Sequence, residues 1–151
     1  MVKRPWVRRL VDHPQLWMWL PYLGESNRPW LREELGRIRP AWVPSSAGRE
    51  GHWEVARSHL WTLVDALAIK FGTVDVYLEF SRRSQCDERC QSANPATVYD
   101  CVCACLGENH GGAASWKSWR PVGESTLVSR ERAMSHFIIG RGEVPSRLLS
   151  Q

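Results

Sequence analysis

The stretch ARSHLWTLVDALAIKFGTVDVYLEF, residues 56–80, decides the fold. Leu60, Val64, Leu67 and Phe71 recur at helical spacing with Leu63 beside them, which predicts a helix over about 56–71. Ser58 is a candidate cap and Gly72 a terminator. Beyond the glycine the period changes. Val74, Val76, Leu78 and Phe80 alternate with Asp75, Tyr77 and Glu79, the pattern of a half-buried strand.

Upstream, ESNRPWLREELG (25–36) predicts a short helix. Ser26 or Asn27 can cap it, Pro29 suits its first turn, Gly36 stops it, and Trp30, Leu31 and Leu35 form its inner face. RPAWVP then predicts a brief strand between prolines, PSSAGREG a turn, and HWEVA the returning strand of a hairpin. A hairpin, a helix and a further strand define an α+β unit: a small mixed or antiparallel sheet with one main packed helix. The opening residues resist assignment. In STLVSRERAMSHFIIGRG (125–142), Leu127, Val128, Met134, Phe137, Ile138 and Ile139 fit helix or strand equally. The expected organisation is a single domain, 1–151, with an α+β core part over 1–83. A metal-binding module over 84–112 follows the last core strand, and 113–151 form a C-terminal return segment.

The segments RPAW, HWEV, VARSHLWTLVDALAIKFG and VDVYLEF, within residues 29–80, resemble the HARP module of annealing helicases. That resemblance implies binding to DNA forks or junctions.

The stretch SQCDERCQSANPATVYDCVCACLGENHGG, residues 84–112, holds all five cysteines of the chain, and His110 sits just behind them. A zinc ion takes four ligands in a tetrahedron, with thiolate and imidazole as the usual structural donors. Cys86 and Cys90 lie one helical turn apart. Cys101, Cys103 and Cys105 would share one face of an extended chain, but its outer two thiols would then stand about 13 Å apart at roughly 3.3 Å per residue. One ion cannot bridge that, so the chain turns there, helped by Gly107, or one cysteine belongs elsewhere. A set of Cys86, Cys90, Cys103 and Cys105 satisfies zinc, and sets that include Cys101 or His110 do so as well. A four-cysteine iron–sulfur cluster is the rival cofactor. Such a metal would fold a stretch too polar and glycine-rich to fold alone. The same cysteines, with Gly107, Asn109, His110 and Gly111, resemble a module of uncharacterised phage, plasmid and actinobacterial proteins. The resemblance implies a metal module and mobile-element company, and no reaction.

The formal charge is +4, with the excess at the two ends: residues 1–50 carry nine Lys/Arg against five Asp/Glu, and 101–151 six against four. Arginine supplies nearly all the cations, the residue suited to bidentate phosphate contact and to stacking. Basic ends point to an anionic partner, nucleic acid above all. Arg4, Arg8 and Arg9, then Arg37 and Arg39, are the expected contacts, together with Trp116, Lys117, Trp119 and Arg120, which interleave aromatics with cations. Nine tryptophans are far more than usual, and packing is expected to claim most of them. The basic, then apolar N-terminus lacks the features of a signal peptide, so a cytoplasmic protein is expected. In that reducing setting structural disulfides are not the norm, so clustered cysteines point to metal or redox chemistry.

These features define a non-catalytic, zinc-containing nucleic-acid-binding or regulatory protein. Two alternatives stand beside it. In a metal-dependent nuclease, His110 would act as general base with Asn109 orienting it. In a protein-interaction adaptor or assembly subunit, or in a homo-oligomer, exposed tryptophans would be the anchors. No phosphate loop, nucleophile elbow, zinc-protease helix or deaminase pattern occurs.

Overall fold

A computed structural model describes residues 4–21, 26–36, 38–46, 48, 50–81, 120–121, 126–127 and 132–144. The chain is α+β. Its strands are β1 (Trp6–Arg9), β2 (Gln15–Trp19), β3 (Ala41–Val43), β4 (His52–Ala56), β5 (Thr73–Ser81), β6 (Arg120–Pro121), β7 (Thr126–Leu127) and β8 (Arg132–Gly140). The helices are α1 (Arg28–Leu35) and α2 (Leu60–Phe71). One mixed sheet runs in the order β3-β4-β2-β1-β5-β8-β6, and β7 also pairs with β8. The β1–β5 pairing is parallel and the other pairings are antiparallel.

The hairpin of β3 and β4, the helix and β5 occur where the sequence places them. Their neighbours differ from the simplest expectation. Both β4 and β5 run parallel to β1, so α2 is a crossover passing over two strands, β2 and β1. Parallel strands need such a long connection, and a helix packed on the sheet supplies it. The N-terminal residues are the strands that fill the gap.

The core lies between the sheet and the helices. Val7, Leu16, Met18, Val55, Val74, Val76, Leu78, Phe137 and Ile139 meet Leu60, Leu63, Val64 and Leu67 of α2 and Leu31 and Leu35 of α1. Helix α2 begins with a 3-10 turn at Arg57–His59, so the regular helix starts at Leu60 and not near Ala56. Neither the turn nor α2 carries a side-chain cap, so Ser58 does not act as one. Gly72 ends α2 at φ 93°, a left-handed conformation that favours glycine, and its N–H returns to the Ala68 carbonyl at 2.8 Å.

The segment that fitted helix and strand equally is strand β8 over Arg132–Gly140. It pairs with β5 along nine residues, from Thr73↔Gly140 to Ser81↔Arg132. The last core strand is therefore β8, and the cysteine stretch falls between two core strands instead of after them. Being flanked by β1 and β8, β5 is also more covered than a half-buried strand: Asp75 and Glu79 are buried along with the apolar row. No helix among the described residues is long and apolar enough to cross a membrane.

Candidate functional site

Two surfaces gather chemistry-bearing side chains. The first is the sheet face turned away from the helices. Strand alternation sends Trp6 and Arg8 of β1, Trp17 and Trp19 of β2, Asp75, Tyr77 and Glu79 of β5, and His136 of β8 to that side. The Arg8 guanidinium lies 4.2 Å from the Trp6 ring centre and 5.3 Å from that of Tyr77, cation–π geometry on both sides. Tyr77 stacks on its register partner His136 at 4.2 Å and 14°. Towards the other edge, Trp17 stacks on buried His52 at 4.3 Å, and His52 Nε2 lies 3.0 Å from Glu54 Oε2.

Within this face, His136 Nε2 sits 2.7 Å from Asp75 Oδ1, while Arg4 Nε sits 3.1 Å from Asp75 Oδ2. In a neutral ring with Nε2 donating to Asp75, Nδ1 would be the acceptor, the tautomer a general base or metal ligand needs. Burial first, then the Asp75 carboxylate, pushes the Tyr77 hydroxyl above its ordinary range; Arg8 and Arg4 partly oppose that. The phenol stays neutral at physiological pH, and its ring is already engaged by His136 and Arg8.

The second surface is a cleft of about 540 Å³ lined by Trp19, Leu20, Ser26, Asn27, Trp42 and Trp53. Pro40 and Pro44 bracket the short edge strand β3, and Trp42 on it is 45% exposed, whereas Trp6, Trp53 and Trp61 are buried. The Trp42 ring meets Trp53 edge-on at 5.4 Å and 62°. It also lies over Gly51: a Cβ there would stand 2.9 Å from Trp42 Cζ2. The glycine thus leaves room for an indole held in one place while open to solvent.

Arg28 stands beside this cleft, and Arg32 and Arg39 line a separate recess. Arg28 lies 5.1 Å from the Trp53 ring centre and donates to the Pro40 carbonyl at 2.6 Å. Arg32 Nε donates to the Ile38 carbonyl at 3.4 Å, and Arg32 and Arg39 line a recess of about 560 Å³ with Gly36 and Ile38. All three arginines are exposed.

The expected contacts divide. Arg4 is exposed and Arg8 half-buried on the aromatic face, and Arg39 is exposed beside α1. Arg9 is corrected: its side chain is buried, and Nη2 donates to the Glu79 carbonyl at 2.7 Å, so it ties β1 to β5 and offers no surface contact. The backbone of Arg120 pairs in β6 with Ile138. Arg37, Trp116, Lys117 and Trp119 lie outside the described residues, as do Asn109, His110, Cys86, Cys90, Cys101, Cys103 and Cys105. Among the described residues no three His, Cys, Asp or Glu side chains converge as a metal site. Two features escaped the sequence reading. Trp42 carried a usable sign in its bracketing prolines. The Asp75–His136 pair carried none, because it depends on the β5–β8 register.

Comparison with protein-family models, with curated proteins and with solved structures found no match.

Proposed function

We propose that this is a non-catalytic nucleic-acid-binding protein. The carrying observation is that an exposed, pre-positioned indole, Trp42, stands on a cleft whose wall residue Trp53 carries the Arg28 guanidinium 5.1 Å from its ring centre, with Arg32 and Arg39 exposed on the same segment of chain. Aromatic faces stack bases and arginines neutralise phosphates, a combination that suits a polynucleotide. The basic ends of the chain support the same reading.

Labelled oligonucleotides should bind at low salt, with log affinity falling linearly as log salt rises. Arg39→Ala should weaken binding and reduce that slope by about 0.9 on a duplex or about 0.7 on a single strand, the values for one lost phosphate contact. Absence of binding at low salt removes the proposal. The Asp75–His136 pair favours a second reading, a metal-dependent nuclease. Adding Mg²⁺ to the same complexes decides between the two: intact oligonucleotide supports a binder, while scission abolished by His136→Ala establishes the nuclease.

The same proposal includes a zinc-holding module, which rests on the spacing of Cys86, Cys90, Cys101, Cys103, Cys105 and His110. Purified protein should be colourless and hold one zinc per chain. A brown protein with iron and labile sulfide would assign a cluster instead.

A further inference from the structure

The cleft beside Trp42 has a more specific chemistry than general attraction to phosphate. Its lining includes three tryptophans, Trp19, Trp42 and Trp53, and Trp42 is held by Gly51 and Trp53 without being covered. A few polar groups stand along it: the Ser26 hydroxyl, which accepts from the Arg28 N–H at 3.2 Å, and the Asn27 amide, whose Nδ2 donates to the Pro21 carbonyl at 3.4 Å. Those bonds leave the Ser26 hydroxyl hydrogen and the Asn27 Oδ1 lone pairs as a donor and an acceptor. Its volume lies within the range of small-molecule sites.

The charge around it selects among the occupants of aromatic recesses. A cage for a methylated ammonium group would be opposed by the cationic Arg28 beside Trp53, and no carboxylate is among the described residues lining the cleft. A proline-rich peptide fits aromatic grooves but gives the neighbouring Arg28 nothing to bind. A nucleobase uses each part: a π-face for Trp42, edge groups for Ser26 and Asn27, and an attached phosphate for the Arg28 guanidinium beside Trp53. A base inside a duplex has its faces covered by its neighbours, so only an unstacked base can enter.

We propose that this cleft receives one unstacked nucleobase, with Trp42 as the stacking platform, and that the preferred ligand is therefore single-stranded nucleic acid. This rests on the nucleic-acid reading above and adds strandedness and the contact residue to it. Trp42 reaches the base directly; Gly51 acts only as a positioning residue.

The test titrates the full chain with a short oligo(dT) and with a duplex of equal length, reading label anisotropy and tryptophan quenching. Oligo(dT) should bind at least about tenfold tighter than duplex, and Trp42→Ala should lose about tenfold in affinity for oligo(dT), within the range for removing one stacked base. Gly51→Ala, which keeps the indole but displaces it, should also weaken oligo(dT) and leave the salt slope unchanged. Photo-cross-linking of an iodouracil-substituted oligomer to the unmutated chain should place the adduct on Trp42 or Trp53, a readout that no folding defect can imitate. Equal binding of strand and duplex, full affinity in Trp42→Ala, or adducts only elsewhere overturns the inference while leaving the nucleic-acid reading intact. An oligoproline peptide that quenches the tryptophans where oligo(dT) does not overturns it in favour of a peptide groove. If no polynucleotide binds, both fall together.

Discussion

Trp61→Ala should cost about 3–5 kcal/mol of stability, the range for removing a buried aromatic side chain. Trp61 stands in the first turn of α2, is 2% exposed, and belongs to the core shared by that helix and the sheet. The loss combines the forfeited transfer of the indole from water with the void it leaves, since close-packed neighbours relax only in part. A domain of ordinary stability has about 5–15 kcal/mol in total, so the variant would be near its threshold at room temperature. Urea unfolding followed by far-ultraviolet circular dichroism is the appropriate measure, because fluorescence loses one of its reporters. Trp61→Phe should fall between the two. A loss below about 1 kcal/mol for the alanine variant would mean that α2 does not rest on the sheet through this residue.

Arg57→Ala should have the second largest effect, about 3 kcal/mol, through polar rather than apolar chemistry. Arg57 lies in the 3-10 turn between β4 and α2. Its Nε donates to the His13 carbonyl at 2.9 Å, and its Nη2 to the carbonyls of His13 at 2.6 Å, Val11 at 3.0 Å and Leu10. One guanidinium therefore gathers three carbonyl oxygens of the connection between β1 and β2. Charged donors are worth more than neutral ones, and truncation strands acceptors that are partly withdrawn from water. Arg57→Lys should recover little, since a single ammonium cannot reproduce the planar fork. Hydrogen exchange should show faster opening of β1 and β2 in both variants, while the pairing of β5 with β8 is less affected. Full recovery by lysine would show that charge alone, and not the fork, secures the connection.

What the sequence disclosed follows from how each element meets its surroundings. Helix α2 and strand β5 were legible because one face of each is almost wholly apolar and Gly72 separates their periods. Strands β1 and β2 were not. In β1 the core side holds Val7 and Arg9 and the other side Trp6 and Arg8, so no alternation of polarity survives. In β2, Trp17 and Trp19 on one side are as apolar as Leu16 and Met18 on the other. Strand β8 conceals its period in the same way, with Ser135 on the core side and Met134 and Ile138 on the other. The candidate surfaces were half legible. The arginines of segment 28–39 and the abundance of tryptophan were plain. That Trp42 would be the exposed indole, and that Asp75 would meet His136, required the register of strands far apart in the chain.

The pairing of Ser81 with Arg132 has a consequence for how the chain can change over time. Between these partners the chain re-enters the sheet at β6 and β7, so the longest run that joins two of its strands there is the 38 residues of 82–119, which hold the cysteine stretch. The entropy of closing such a loop rises only with the logarithm of its length, so even doubling the insertion costs the core about 0.6 kcal/mol. Lengthening of the cysteine-bearing segment should therefore cost the sheet little stability.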